Sequence, residues 1–204
     1  AALGWDRVTA VSVAAGEAPQ GGSAAAVEAL RGQIQVIADD LLDEIEREAD
    51  HPIDIVESVA THHEWDFDRL ADDQIAMVVE GQWRSYSLTL AWSARDEVLR
   101  LVCTFDMDPP ADRMTTLHEL LNLANDQVWD GGFTFWGEQR LMVWRYGLVL
   151  SGEAVAGPEQ VDRMIRAAID ASERFYPAFQ MACWGNAPAS EALNVAIAGA
   201  YGRA

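Results

Sequence analysis

Lysine is absent from this 204-residue chain, and all 14 of its basic residues are arginines. The absence excludes a P-loop lysine for nucleotide phosphates and any lysine that could form a Schiff base. Acidic residues number 33, so the formal net charge at pH 7 is −19. Because proteins bind the phosphate backbone through clustered lysine and arginine, this composition argues against a nucleic-acid partner.

Cysteine and long apolar runs are scarce as well. Cys103 and Cys183 are the only cysteines, and neither lies in a metal-binding spacing. Cys103 falls on the apolar side of a predicted strand, which favours a buried thiol over a disulfide or a nucleophile. No apolar run reaches the roughly 18 residues of a membrane helix, and the N-terminus shows no secretion signal. We therefore expect a cytoplasmic protein with no membrane partner.

The four histidines do not form a metal-ligand pattern. The group most similar to a metal-ligand pattern is the cluster of His62, His63, Glu64 and Asp66. Neighbouring side chains on a helix point about 100° apart, so the two imidazoles cannot share one ion in the i, i+4 manner of a zinc helix. A solvated helix end explains the cluster better, and surface contacts explain His118. The sequence predicts no metal, no cofactor and, without a nucleophile or acid–base set, no enzyme.

Negative charge concentrates between Asp39 and Glu80, where 15 acidic residues accompany only two arginines. A solvated helix face is one explanation, and an acidic surface that repels wrong partners is another. An apolar stripe from Ala24 to Ala49 predicts an amphipathic helix within this region. We therefore divide the chain into an N-terminal extension with an acidic amphipathic helix, residues 1–50, and an α+β domain, residues 51–204.

Alternating apolar and polar residues predict four strands after a helix that begins at Pro52. The clearest alternation runs from Ser85 to Trp92, and its regularity indicates an antiparallel sheet with one face on a core. A helix is then predicted from Asp108-Pro109 to about Trp129, with Gly131 as its C-cap. A hairpin over residues 132–150, turning near Gly137, follows that helix.

Two further helices complete the predicted fold. One begins at Gly157-Pro158 and is ended or kinked by Pro177, and the last begins near Pro188. The resulting order is α-α-β-β-β-β-α-β-β-α-α. Because strands and helices come in blocks, the sequence predicts an α+β fold in which helices pack on an antiparallel sheet of about six strands.

Six segments, taken in order, resemble the YbjN family of bacterial sensory transduction regulators. They are HPIDIVESVATHHEWDFDRL (51–70), GQWRSYSLTLAWS (81–93), CTFDMDPPADR (103–113), ELLNLANDQVWDGGFTFW (119–136), WRYGLVL (144–150) and ERFYPAFQMACWG (173–185). The resemblance extends from His51 to the C-terminus and leaves the N-terminal extension outside. His51 precedes Pro52 where we would expect asparagine as the N-cap, so Asp50 is a second candidate for capping.

The resemblance implies a fold like that of type III secretion chaperones, a curved antiparallel sheet with helices packed against it, commonly dimerising. It supplies no catalytic residues. On this basis we expect a non-enzymatic regulatory or chaperone-like homodimer that binds a protein partner through sheet and helix surface. The alternative is a small-molecule sensor domain with a pocket between sheet and helix.

Three tryptophans and one arginine are candidates for the partner-binding surface. Trp83 precedes its strand, Trp129 ends a helix and Trp136 borders the hairpin turn. Exposed aromatic residues concentrate at interfaces, but local packing at the ends of elements explains these three equally well.

Arg145 is the fourth candidate, because it lies on the same side of its strand as Leu141, Val143 and Val149. A guanidinium on an apolar face requires acceptors. These could be an acidic residue of the helix after Pro158, a partner across an interface, or solvent. The candidates within the chain are Glu159, Asp162 and Asp170. The strand from 141 to 150 is apolar on both sides, which predicts that both its faces are covered.

Overall fold

The computed structural model describes Glu28 and residues 31–37, 51–152 and 154–201. Its contacts divide the chain into two units, Ala1–Ala49 and Asp50–Ala204. In the first unit, residues 31–37 are helical and exposed. The remainder of that predicted helix lies outside the described residues, apart from Glu28, which is also helical.

The described residues of the second unit contain four α-helices, a short 3-10 turn and six strands. In chain order they are α1 (Pro52–His62), β1 (Asp66–Ala71), β2 (Gln74–Glu80), β3 (Ser85–Ser93), β4 (Val98–Asp106), the 3-10 turn (Ala111–Arg113), α2 (Met114–Asn125), β5 (Gly132–Trp136), β6 (Leu141–Val149), α3 (Pro158–Cys183) and α4 (Ala189–Tyr201). The predicted α+β class and order of elements are confirmed.

The six strands form one open antiparallel sheet in the order β1-β2-β3-β4-β6-β5. Alternation places Tyr86, Leu88 and Leu90 of β3 entirely inside the core. We call this side of the sheet the covered face. The other side, the open face, contains the row in which Ala76 pairs with Thr89, Thr89 with Val102, and Val102 with Arg145.

Helices α1, α2 and α3 contribute to the core on the covered face. The 26-residue helix α3 supplies Ile165, Phe175 and Phe179, all fully buried. Phe133 of β5 meets both phenylalanines edge to face. Burial of each such side chain stabilises the fold by roughly 1.5–3 kcal/mol. Helix α4 packs on α2 and α3 as an outer layer.

Helix α2 differs from its prediction at both ends. Its predicted N-cap, Asp108, instead pairs with Arg140 at 2.7 Å, and the α-helix begins at Met114. It ends at Asn125, because the side chain of Asn125 binds the backbone of Phe133. Gly131 is therefore not its C-cap. Gly131 has a φ of +132° and lies where a Cβ would come within 2.7 Å of the Arg145 carbonyl oxygen.

Of the two outcomes predicted for Pro177, the end of α3 does not occur there, because the helix continues to Cys183. An interior proline costs a helix about 3 kcal/mol or more. Ala178, Phe179 and Ala182, which follow it, are fully buried, and their packing offsets that cost.

The N-cap of α1 is His51 itself. Its Nδ1 atom accepts the backbone N–H of Ile53 at 3.3 Å, the role that we expected of an asparagine. Asp50, the other capping candidate, lies outside the described residues.

Candidate functional site

An open groove of about 770 Å³ lies at the end of the sheet where β6 extends beyond β5. Its lining comes from residues 100–102 of β4, residues 145–147 of β6, the loop 129–131 and Arg163 of α3. We call it the arginine groove, since Arg100, Arg145 and Arg163 all line it. The groove is therefore built from two adjacent strands, one loop and one helix of the same unit.

The charge of the arginine groove is opposite to that of the whole chain. Among the described residues, its lining contains three arginines and a single carboxylate, Asp130, whereas the chain has 33 acidic and 14 basic residues. Arg100 forms an ion pair with Asp96. Within the described part of the chain, the guanidinium groups of Arg145 and Arg163 take part in no hydrogen bond or ion pair. Two of the three positive charges thus remain available to an anionic group.

The structure provides no intrachain carboxylate for Arg145 among the described residues. Of the acidic residues proposed for that role, Asp162 binds Arg166 and His63 instead, at 2.8 and 2.7 Å. The physical reason is that α3 packs on the covered face, whereas Arg145 projects from the open face. Of the three alternatives given for Arg145, the ion pair with α3 is thus not formed among the described residues, and a partner across an interface or solvent remain.

The open side of β6 is covered over only part of its length. Val143 is fully buried, but Arg145 and Gly147 are exposed, and Val149 is 63 % exposed. The expectation that both faces of this strand are covered thus holds near its start and fails towards its end.

The structure separates the four candidate partner-binding residues. Trp129 is 97 % exposed and lines the arginine groove with Arg145. Trp136 is 38 % exposed and pairs with Leu141 at the opposite end of the sheet. Trp83 is 47 % exposed in the β2–β3 connection, where its ring stacks on Tyr176. Only Trp129 and Arg145 belong to one site.

His62, Glu64 and Asp66 are exposed, as expected of a solvated helix end, whereas His63 is partly buried at a contact between α1 and α3. Its Nε2 atom is 2.7 Å from Asp162, and its ring stacks on Trp65 at 4.5 Å. The guanidinium of Arg166, and after it the imidazole of His63, holds the pKa of Asp162 below its ordinary value. Among the described residues, no group of three potential metal ligands comes together.

The two thiols are buried and free, and neither has the environment of a nucleophile. Burial raises the pKa of Cys103 to about 12 and that of Cys183 to about 11. Reactive cysteines are partly exposed and have lowered pKa values, so both thiols have a structural role. The predicted burial of Cys103 is confirmed.

Sequence patterns missed Arg100 and Arg163, which complete the arginine groove. Arg100 joins it because it pairs with Gly147 across β4 and β6. Arg163 lines the groove because α3 passes next to it. Neither relationship is encoded by local periodicity.

A model of the YbjN family, described as "Putative bacterial sensory transduction regulator", matches residues 52–181, more than half of the chain. The match begins with α1, includes all six strands and ends within α3, so α4 lies beyond it although the sequence resemblance had included it. No curated protein matches the chain. In the described part of the chain, none of the helices combines the length and apolar character needed to span a membrane.

Proposed function

The chain belongs to the YbjN family, and we propose that it is a non-enzymatic regulatory or chaperone-like protein of the cytoplasm. In this proposal it forms a homodimer and binds a protein partner through exposed sheet and helix surface. The supporting observation is the open face of the sheet, whose composition suits contact with another protein surface.

The open face carries charges at Glu80, Arg100 and Arg145, but part of it is uncharged. Its middle strands present small uncharged residues, namely Ala76, Ser87, Thr89, Ala91 and Thr104. Val78 is 49 % exposed among them. Sheets that pack face to face lie about 10 Å apart and require side chains of this size and polarity. The open face therefore suits self-association.

Light scattering with a matched pair of variants tests the homodimer. We expect the wild-type protein to be a dimer at 50 μM, and Val78→Glu to be a monomer, because a carboxylate would be buried in the interface. Val155→Glu is the control, since Val155 is 51 % exposed but lies in the loop before α3. A monomeric wild-type protein, or equal effects of both substitutions, would contradict the proposed interface.

Purification from native cells, followed by mass measurement of the intact complex, tests partner binding. We expect a second protein in stoichiometric amount. A retained small molecule without a second protein would favour the sensor alternative. The volume of the arginine groove falls within the ~300–1,000 Å³ of ligand pockets, but the groove is open and is not enclosed between sheet and helix. This openness places the sensor function second.

A further inference from the structure

We infer that the arginine groove binds an acidic, extended segment of a partner protein, which adds a strand to the free edge of β6. The inference rests on the proposed function and deepens it, since it names the chemistry of the partner and the place where it binds. Three independent observations support it: the geometry of the strand edge, the charge of the groove and the exposure of its aromatic residue.

The edge of β6 has no strand partner after Arg145 among the described residues. Strand β5 pairs with β6 from Trp136↔Leu141 to Gly132↔Arg145 and goes no further. The chain leaves β6 at Gly131. Strand β6 continues to Val149 and has β4 on its other side. A stretch of β6 that includes Gly147 and Val149 therefore forms an edge beside the groove.

The direction of the backbone groups on this edge follows from the neighbouring hydrogen bonds. The Asn125 side chain binds both the N–H and the C=O of Phe133, so these groups point away from β6. Phe133 and Trp144 thus form a non-hydrogen-bonded pair, and the odd-numbered residues of β6 direct their N–H and C=O towards β5. Strand β5 stops at Gly132. The backbone N–H and C=O groups of Gly147 and Val149 therefore point to the side of β6 that has no strand partner among the described residues.

These backbone groups match what an incoming strand requires. An added strand gains affinity from main-chain hydrogen bonds and specificity from its side chains. Gly147 has no side chain to obstruct the approach, and even a Cβ there would contact only Val98, at 3.3 Å. The opposite edge of the sheet differs, because β1 carries the charged residues Asp66, Asp68 and Arg69, and charges of this kind discourage strand pairing.

The arginines determine which segment would be bound. Arg145 lies on the open face beside the free edge, and Arg163 approaches from α3. A carboxylate of a partner would give each guanidinium the charge-assisted hydrogen bonds that it lacks among the described residues. The net charge of −19 repels acidic segments from the rest of the surface. The groove is thus a local concentration of positive charge on an acidic protein.

Trp129 adds an apolar contact at the rim of the groove. Its side chain is 97 % exposed, although burial of a tryptophan is strongly favourable. Tryptophan and arginine are the residues most often found at the energetic centres of protein interfaces. In an extended segment that alternates acidic and apolar residues, the carboxylates share one face of the strand and would meet Arg145, with Arg163 adding positive charge nearby and the indole contacting an apolar side chain.

Fluorescence anisotropy with defined peptides tests the inference. The probe is a fluorescein-labelled ten-residue peptide of alternating Glu and Val, and a peptide with Gln in place of Glu is its uncharged match. We expect the acidic peptide to bind, and the double variant Arg145→Ala/Arg163→Ala to weaken that binding by ~10-fold or more. Arg140→Ala is the matched control, since Arg140 is exposed in the β5–β6 turn at the other end of the sheet and should leave binding unchanged.

Strand addition is tested separately from charge by an acidic peptide that is N-methylated at alternate residues. We expect the methylated peptide to lose binding because it cannot donate to the edge of β6. Equal binding of the methylated peptide or of the Gln peptide would overturn the inference. Displacement of the peptide by equimolar citrate or pyrophosphate would also overturn it, by showing a site for small anions.

The same variants distinguish this inference from the proposed function. If the double variant still captures the native partner while the acidic peptide fails to bind the wild-type protein, the groove is not the binding site and the proposed function stands. If no partner accompanies the wild-type protein from native cells but the peptide binds as expected, the site stands and partner binding as a cellular function is contradicted.

Discussion

The phenol of Tyr86 donates a 2.7 Å hydrogen bond to the carboxylate of Glu173, which joins β3 to α3 inside the core. The same carboxylate oxygen accepts the backbone N–H of Trp83 at 3.3 Å. Gly81 makes room for it, since a Cβ there would lie 2.3 Å from that oxygen. Burial raises the pKa of Tyr86 above its ordinary value, and the bond to Glu173 raises it further.

Glu173→Ala should lower the free energy of unfolding by ~1–3 kcal/mol, because the fully buried Tyr86 hydroxyl would lose its acceptor. Glu173→Gln should cost less, since its amide oxygen can still accept that hydrogen bond. Urea unfolding followed by tryptophan fluorescence measures both. Glu191→Ala, at an exposed position of α4, serves as the control. Equal stability of the Ala variant and the wild type would show that the bond contributes nothing.

Asn125→Ala should destabilise the fold by ~1–3 kcal/mol, because the Phe133 backbone would lose both a donor and an acceptor. The side chain of Asn125 accepts the Phe133 N–H at 2.7 Å and donates to its carbonyl at 3.0 Å. Asn125→Asp retains the first bond and places a carboxylate against the carbonyl, so it should also destabilise. Thermal unfolding measures the melting temperatures of both variants. The control is Asn122→Ala, whose residue lies one turn earlier on the exposed side of α2. Similar melting temperatures for the variants at 122 and 125 would contradict this role.

The strands were predictable because one physical cause dominates their sequence. Residues of β3 on the covered face must be apolar, whereas the residues next to them in the sequence lie on the open face and can be polar. The resulting alternation identified β2, β3 and β4. Alternation does not say which strand is the neighbour of which. The pairing of β4 with β6, which brings Arg100 beside Gly147, could not be derived from it.

The errors in predicting the ends of α2 arose because a polar side chain there had two possible partners. Asp108 and Asn125 carry capping or turn preferences that local rules recognise, but both bind residues of the β5–β6 hairpin. Tertiary hydrogen bonds therefore set the ends of α2. For the candidate site, the sequence identified Arg145 and Trp129, while Arg163 depended on the path of α3 across the sheet.

Arg113 holds the junction between α3 and α4, and its removal should lower the melting temperature. Its guanidinium donates to the Ala182 carbonyl at 2.6 and 2.8 Å and to the Ala187 carbonyl at 2.7 Å. These acceptors lie at and just beyond the end of α3, where helix carbonyls lack intrahelical partners. Arg113→Lys should not restore stability, because an ammonium cannot reproduce the planar fork. Arg140→Ala, which removes the same charge from an exposed ion pair, should change the melting temperature little.

Cys103 should make the protein lose stability above pH 9. Burial raises the pKa of its thiol from an ordinary value near 9 to about 12, so the folded state retains a proton that the unfolded state releases. The contribution is thus fully present below pH 9 and is lost as the pH rises towards 12, by up to ~1.4 kcal/mol per pH unit. Tyr86 acts in the same direction at higher pH, because its pKa is also raised.

Urea unfolding of the wild type and of Cys103→Ala between pH 7.5 and 10.5 isolates the thiol. We expect the variant to be less stable at pH 7.5, because it leaves a space in the core, but to lose less stability as the pH rises. Cys183→Ala provides a second case, since burial also raises the pKa of that thiol, to about 11, and should act in the same direction. Parallel pH profiles for the wild type and Cys103→Ala would mean that the Cys103 thiol titrates alike in both states, and its burial would then have no linkage to folding.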